Sequence, residues 1–266
     1  MSTFARSTAV DPLGDGAWRA ACDPAWNTQL GPNGGYLAAI ILRAMLAELD
    51  DEARAARSLT CHYLRPPEAG ELRIDVTVER SGRSLSTVSA RLSQEGALCA
   101  VAVGAFAVDF RGAMDYAAAP PPMPAPAGVE RLPPVAVVPM TEHFEMRPTI
   151  GAPLYAGAPE SISGGWLRFA EAQPLDAPAL AMFADAWWPS PLPRLTRPVT
   201  APTIDLTVHF RAPAAAAAIA DEPVLAVFRS STAADGFFEE DGELWSADGV
   251  LLAHSRQLAL LVDGGR

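Results

Sequence analysis

The chain carries one short sequence segment twice, once in each half. Residues 59–67 read LTCHYLRPP and residues 206–213 read LTVHFRAP, so Leu, Thr, His and an aromatic residue recur in the same order. A repeat with this spacing indicates an internal duplication. The chain is therefore expected to fold as two similar units rather than as one irregular domain.

Each copy of the repeat is followed by the same series of strand-like segments. In the first half, ELRIDVTVER (71–80) alternates apolar and polar residues, the period of a half-buried strand. SLSTVSARLSQ and ALCAVAVGAFAV follow, joined by a turn at Glu95-Gly96, and predict an antiparallel meander. The second half repeats the order with EPVLAVFRSS, GFFEEDGELWS and VLLAHSRQLALLV.

A long apolar segment precedes the strands in each half. GGYLAAIILRAMLAEL (34–49) follows Asn33, and DAPALAMFADAWW (176–188) begins with Asp176, a good N-cap residue, with Pro178 in the first turn. Both segments are apolar nearly all round, which predicts buried helices. The pattern by itself predicts an α+β protein with an internal duplication. Each meander would otherwise leave an open strand edge, so we expect the sheets of the two halves to pack edge to edge into one continuous surface.

The two halves are separated by a segment rich in Pro and Ala. Residues 117–139 read AAAPPPMPAPAGVERLPPVAVVP, through which neither a helix nor a central strand can run. We predict an N-terminal unit over residues 1–118, a linker over 119–140 and a C-terminal unit over 141–266.

Composition excludes several classes of function. A net charge of −11 opposes non-specific binding to nucleic acid. The three cysteines are not spaced as a disulfide framework or a thiolate metal site, and the sequence has no P-loop or dinucleotide-binding motif, so we expect neither a metal nor a cofactor. We identify no secretory signal and no membrane-spanning segment, and we expect a cytoplasmic protein.

Six motifs in this order resemble the acyl-CoA thioesterase II family, the double-hotdog thioesterases: NGGY, HYLRP, GRSLST, ADAWWPS, PTIDLTVHF and GVLLAHSRQ. The resemblance implies a double hotdog with two antiparallel sheets, each wrapped around a buried helix. It also implies hydrolysis of acyl-CoA without a cofactor. In that family an Asp, a Thr and a Gln position the attacking water, and the matching residues here are Asp185, Thr203 and Gln257.

Each of these three residues also has a structural interpretation. Asp185 lies in the second predicted helix, where an unpaired buried carboxylate is costly, but it could instead be exposed at the helix end or hydrogen-bonded to a neighbouring turn. Thr203 could be present for its β propensity alone. Gln257 could be an outward-facing polar residue of the last strand, although an amide can both donate to and accept from a water.

Gly34 and Gly35 are the candidate substrate-binding residues. They open the first predicted helix, where free backbone N–H groups favour developing negative charge, so their amides could polarise the thioester carbonyl. Alternatively, they only permit a tight entry turn. His62 and His209 occur at equivalent places in both halves, which favours a structural role over a catalytic one.

The resulting hypothesis is an acyl-CoA thioester hydrolase that uses neither a metal nor a covalent intermediate. Asp185 would act as general base or water-orienting carboxylate. The alternative is a non-catalytic acyl-binding double-hotdog protein. We expect acyl-CoA as the substrate, a homo-oligomeric state, and no nucleic-acid or membrane partner.

Overall fold

The computed structural model describes residues 1–110, 112–212, 218–219 and 221–263. Pro213, at the end of the second repeat segment, and residues 264–266 of the predicted C-terminal unit lie outside the described residues.

The α-helices are α1 (Thr3–Ser7), α2 (Gly34–Leu49) and α3 (Ala177–Phe183). The strands of the first half are β1 (Asp11–Gly14), β2 (Ala17–Cys22), β3 (Asn27–Thr28), β4 (Gly31–Pro32), β5 (Ala55–Tyr63), β6 (Gly70–Ser81), β7 (Leu85–Gln94) and β8 (Ala97–Ala107). Those of the second half are β9 (Phe144–Gly151), β10 (Ile162–Phe169), β11 (Thr203–Phe210), β12 (Val224–Arg229), β13 (Ala233–Ala234), β14 (Phe237–Trp245) and β15 (Leu251–Leu260).

The long strands of both halves belong to one antiparallel sheet. Within the described residues it has 13 strands, in the order β1-β2-β6-β7-β8-β5-β11-β15-β14-β12-β10-β9, with β13 beside β14. Read outward from the centre, β5, β8, β7 and β6 correspond to β11, β15, β14 and β12. The predicted duplication and meander order are therefore present in the sheet.

The two repeated segments pair with each other at the centre of this sheet. β5 and β11 run antiparallel with Thr60 opposite Thr207, and the two hydroxyl oxygens are 3.0 Å apart. The resemblance implied two sheets, and in the structure they are joined into one continuous sheet, as the open strand edges predicted. The reason is physical: β5 and β11 would each be an open edge, and their pairing satisfies both rows of backbone hydrogen-bonding groups.

Both predicted helices form, but the second is shorter than expected. Asn33 caps α2 by accepting the Tyr36 amide at 3.0 Å, and Asp176 caps α3 by accepting the Ala179 amide at 2.9 Å. The prediction that Asp185 lies inside a helix is wrong, because α3 ends at Phe183 and Asp185 follows it. Both helices contribute largely buried residues to the main core.

The Pro/Ala-rich segment contacts the second half of the protein. It contains a 3₁₀ turn over Pro126–Gly128, and a second one begins at its end, over Pro139–His143. The Trp166 indole donates to the Pro124 carbonyl at 2.7 Å, and the Leu132 amide donates to the Met146 carbonyl at 2.9 Å. The predicted domain boundaries stay a prediction. None of the described helices is long and apolar enough to cross a membrane.

Helix α2 approaches α3 closely at Gly35. A Cβ atom there would lie 2.8 Å from the Met182 carbonyl oxygen and 2.9 Å from that of Ala181. Backbone oxygens at the end of a packed helix cannot move aside easily. The close packing of the two helices therefore depends on the missing side chain.

We expect Gly35→Ala to lower the free energy of unfolding by about 1–3 kcal/mol, the usual cost of overpacking. This clash should outweigh the ~0.5–1 kcal/mol that alanine gains over glycine in a helix. Denaturant unfolding measures the change. Gly128→Ala is the matched control, because a Cβ there would meet no atom within 4 Å. Equal stability of the two variants would contradict the packing argument.

Candidate active site

Asp185 lies just beyond α3 and faces the N-terminus of α2. Its Oδ2 accepts the Gly35 amide at 3.0 Å and the Asn33 side-chain amide, also at 3.0 Å. Asn33 donates in addition to the Asp185 backbone carbonyl at 2.7 Å. Two residues from the first half of the chain therefore fix a carboxylate contributed by the second half.

The other carboxylate oxygen of Asp185 is available to a ligand. Oδ1 accepts no well-directed hydrogen bond from any residue in the described part of the chain, and the side chain is only partly buried. Burial raises the pKa of Asp185 to about 6, although the Gly35 and Gly34 amides and the Asn33 side chain act to lower it. The carboxyl group is therefore mostly ionised at pH 7. Its pKa lies only slightly below that pH, as a general base requires.

Gly34 and Gly35 lie in this site, but as partners of Asp185. The helix N-terminus directs its amides at the carboxylate, which the helix dipole also favours. The Tyr63 hydroxyl donates to the Gly34 carbonyl at 2.7 Å and holds the turn from the side of β5. The Gly35 amide is thus occupied by a carboxylate in this structure.

Thr203 and Gln257 contact each other directly. Thr203 opens β11, Gln257 lies in the neighbouring strand β15, and the Thr203 hydroxyl donates to Gln257 Oε1 at 3.1 Å. Gln257 is buried, with 6% of its surface exposed, so it is not the outward-facing residue of the structural interpretation.

A second buried carboxyl group, Glu240, adjoins this pair. Glu240 lies opposite Gln257 on β14, and its Oε1 accepts Gln257 Nε2 at 2.7 Å. Its Oε2 accepts the backbone amide of Ser190. Burial raises the pKa of Glu240 to about 7, the Ser190 and Gln257 hydrogen bonds lower it, and the charge of Asp185 raises it further.

The predicted residues thus form two hydrogen-bonded groups, which the chain segment from Asp185 to Ser190 connects. One group is Asp185 with Asn33, Gly34 and Gly35; the other is Thr203, Gln257, Glu240 and Ser190. The short segment from Asp185 to Ser190 joins them, and the charge of Asp185 acts on Glu240. Sequence analysis did not identify Asn33, Ser190 or Glu240 as members of the site.

Both groups offer hydrogen-bonding capacity to a small polar molecule. Among the described residues, none makes a well-directed hydrogen bond to Asp185 Oδ1, and the Thr203 hydroxyl and the second N–H of Gln257 supply neutral hydrogen-bonding groups. No serine or cysteine nucleophile is paired with a histidine in this set. A water is therefore the nucleophile that these residues can activate.

Two protein-family models match the sequence. The model described as the acyl-CoA thioesterase C-terminal domain matches residues 117–261, more than half of the chain. The model of the acyl-CoA thioesterase N-terminal domain matches residues 22–107. No curated protein matches the sequence.

Several solved structures resemble the protein over nearly its whole length. A protein with a hot dog fold from Alicyclobacillus acidocaldarius is 26% identical with a TM-score of 0.93, covering 100% of both chains. A putative thioesterase II from Thermobifida fusca is 28% identical with a TM-score of 0.84, covering 100% of this chain and 98% of its own. The acyl-CoA thioesterase II TesB2 from Mycobacterium marinum is 20% identical with a TM-score of 0.79, covering 99% of this chain and 100% of its own. This similarity concerns the fold alone.

Proposed function

The chain belongs to the acyl-CoA thioesterase family, and on that premise we propose that it hydrolyses acyl-CoA with a water held by Asp185, Thr203 and Gln257. The observation that carries this mechanism is the asymmetry of the Asp185 carboxylate. One oxygen is held by Gly35 and Asn33, and the other accepts no well-directed hydrogen bond from the described residues. Such a group is fixed in place and still able to accept a proton from water.

Asp185 alone accepts and returns the proton that is transferred in this reaction. The water oxygen attacks the thioester carbonyl carbon while Oδ1 accepts the water proton. The tetrahedral intermediate then collapses with cleavage of the C–S bond, and the proton returns from Asp185 to the leaving CoA sulfur. The products are a carboxylic acid and free CoA, with no covalent enzyme intermediate.

In this proposal Gly34 and Gly35 both orient Asp185 and contribute to binding the thioester carbonyl. Their amides orient Asp185, and the N-terminus of α2 also offers the positive potential that would stabilise the oxyanion. The thioester oxygen would have to share the Gly35 N–H with Asp185 Oδ2. Substrate binding by these glycines therefore stays a proposal, as does the homo-oligomeric state.

Steady-state release of free CoA from a panel of acyl-CoA substrates tests the function. We expect turnover that depends on the intact Asp185 carboxylate. Binding of acyl-CoA without CoA release would instead favour the non-catalytic acyl-binding protein.

Thr203 and Gln257 are expected to act as one unit, because the hydroxyl of one donates to the amide oxygen of the other at 3.1 Å. Thr203→Val and Gln257→Leu should each lower kcat less than a change at Asp185, since neither residue takes the proton. The double variant should lose less than the product of the two single losses, as is usual for interacting residues. Steady-state kinetics on variants with unchanged melting curves measure this. Strictly multiplicative losses would mean that the two residues act at separate places.

A further inference from the structure

Glu240 is a buried carboxyl group that the mechanism above does not use. It lies on β14 directly opposite Gln257, and only 3% of its surface is exposed. A carboxylate at such a position is costly unless its oxygens are hydrogen-bonded. Both oxygens have a partner here, one in the site and one in the segment that follows Asp185.

The two partners of Glu240 are both donors. Gln257 donates from Nε2 at 2.7 Å, and Ser190 donates from its backbone N–H. An ionised carboxylate can only accept hydrogen bonds, so it selects the nitrogen end of the Gln257 side chain. The oxygen end must then point the other way, and there it accepts the Thr203 hydroxyl at 3.1 Å.

We propose that Glu240 is a positioning residue for thioester hydrolysis, which sets the direction of the Gln257 amide and thereby the hydrogen-bonding pattern offered to the attacking water. This inference rests on the proposed function, since it acts through Gln257. A glutamine amide is nearly symmetric in shape and has no preferred direction of its own. The charge of Glu240 supplies that preference.

The preference requires Glu240 to be ionised. A proton on either oxygen would make that oxygen a weaker acceptor of the Gln257 or the Ser190 N–H, and the negative charge that favours the nitrogen end of Gln257 would be gone. Gln257 and Ser190 are neutral, and the charged group that acts on Glu240 is Asp185. Because burial and the Asp185 charge raise the pKa of Glu240 to about 7, the ordering of Gln257 is expected to weaken as the pH falls below neutrality.

The first test is Glu240→Gln, which keeps the size and removes the charge. We expect kcat to fall about 10- to 100-fold, the scale of a misplaced catalytic group, with KM unchanged. The acid limb of the kcat profile should also move down towards the pKa of Asp185, which burial raises to about 6. A kcat and pH profile equal to wild type, with only a lower melting temperature, would assign Glu240 a purely structural role and overturn the proposal.

Glu239→Gln is the matched control. Glu239 precedes Glu240 on the same strand, is less buried, and accepts the Ser231 and Thr232 amides at 2.7 and 2.9 Å. The same change of charge therefore occurs one residue away from the site. The control should retain the wild-type kcat and acid limb; a loss equal to that of Glu240→Gln would mean that overall charge, and not the contact with Gln257, is responsible.

A double variant distinguishes failure of this inference from failure of the mechanism. When Glu240→Gln is added to Gln257→Leu, it should cause no further loss of kcat, because the amide that Glu240 orients is absent. An undiminished loss there would show that Glu240 acts independently of Gln257. Wild-type activity of Gln257→Leu itself would refute the proposed water site, whatever Glu240 does.

A measurement on the wild-type protein covers the case in which Glu240→Gln does not fold. The chain has only four glutamines, so selective ¹⁵N labelling gives four side-chain amide groups. The amide signals lost in Gln257→Leu identify Gln257. In wild type those signals should shift with an apparent pKa near that of Glu240, about 7, and a pH-independent amide would overturn the proposal.

Discussion

Replacing Asp185 with asparagine is expected to lower kcat for acyl-CoA hydrolysis by about 100- to 10,000-fold, the usual contribution of a general base. The amide oxygen of the new side chain can take the place of Oδ2 and accept the same Gly35 and Asn33 donors. Its NH₂ group then occupies the place of Oδ1. A donor that cannot accept a proton would thus face the water.

The same geometry predicts that Asp185→Asn folds normally. The pKa of Asp185 is raised from 3.8 to about 6 in the folded state, so ionisation above that range opposes folding, and a neutral amide removes this penalty. We expect an unchanged or higher melting temperature at neutral pH. Asp241→Asn, an exposed change on β14, should leave kcat unaltered. An Asp185→Asn rate within a few-fold of wild type would exclude Asp185 from the mechanism.

Much of the fold was predictable because the duplication and the period-2 pattern are local properties of the sequence. The alternation in residues 71–80 predicted β6, and the repeat predicted that the second half follows the same strand order. The continuous sheet was not implied by the family resemblance. Whether β5 and β11 meet depends on two segments about half the chain apart, and only the requirement to cover open strand edges indicated it.

The end of α3 was not predictable from local signals. Apart from Asp185, the residues between Phe183 and Pro189 are apolar and suit a helix as well as a loop, and Pro189 is the next strong helix-breaking residue. In the structure, the Asp185 carbonyl accepts the Asn33 side chain at 2.7 Å, a contact with the other half of the chain. The helix end is thus set by tertiary contacts.

Glu240 did have a sequence signal. In GFFEEDGELWS, Phe238, Glu240, Gly242 and Leu244 share one face of a strand, and Glu240 is the charged residue on the face that is buried. A charge on an apolar face points to a partner or a function. Which partner it meets could not be read from the sequence, because the facing strand position depends on register.

The packing of the two halves indicates that neither is a complete folding unit. In the sheet, β5 is the strand of the first half that borders the second half, and β11 covers this edge of it. The helix α2 of the first half packs against α3 of the second, with a close approach at Gly35. Removing the second half would expose a strand edge and the apolar surface of α2 together, which are the features that drive aggregation or self-association.

We therefore expect residues 1–118, expressed alone, to be insoluble or to self-associate. Self-association has a specific route: because Thr60 faces Thr207 at the centre of the β5–β11 pair, a second copy of β5 can occupy the place of β11 in the same antiparallel register. Size-exclusion chromatography with light scattering measures the state of the fragment. Co-expression with residues 119–266 is the control and should restore a soluble complex with both halves present. A stable, well-dispersed monomer of residues 1–118 would contradict the conclusion that the exposed β5 edge and α2 surface need the second half.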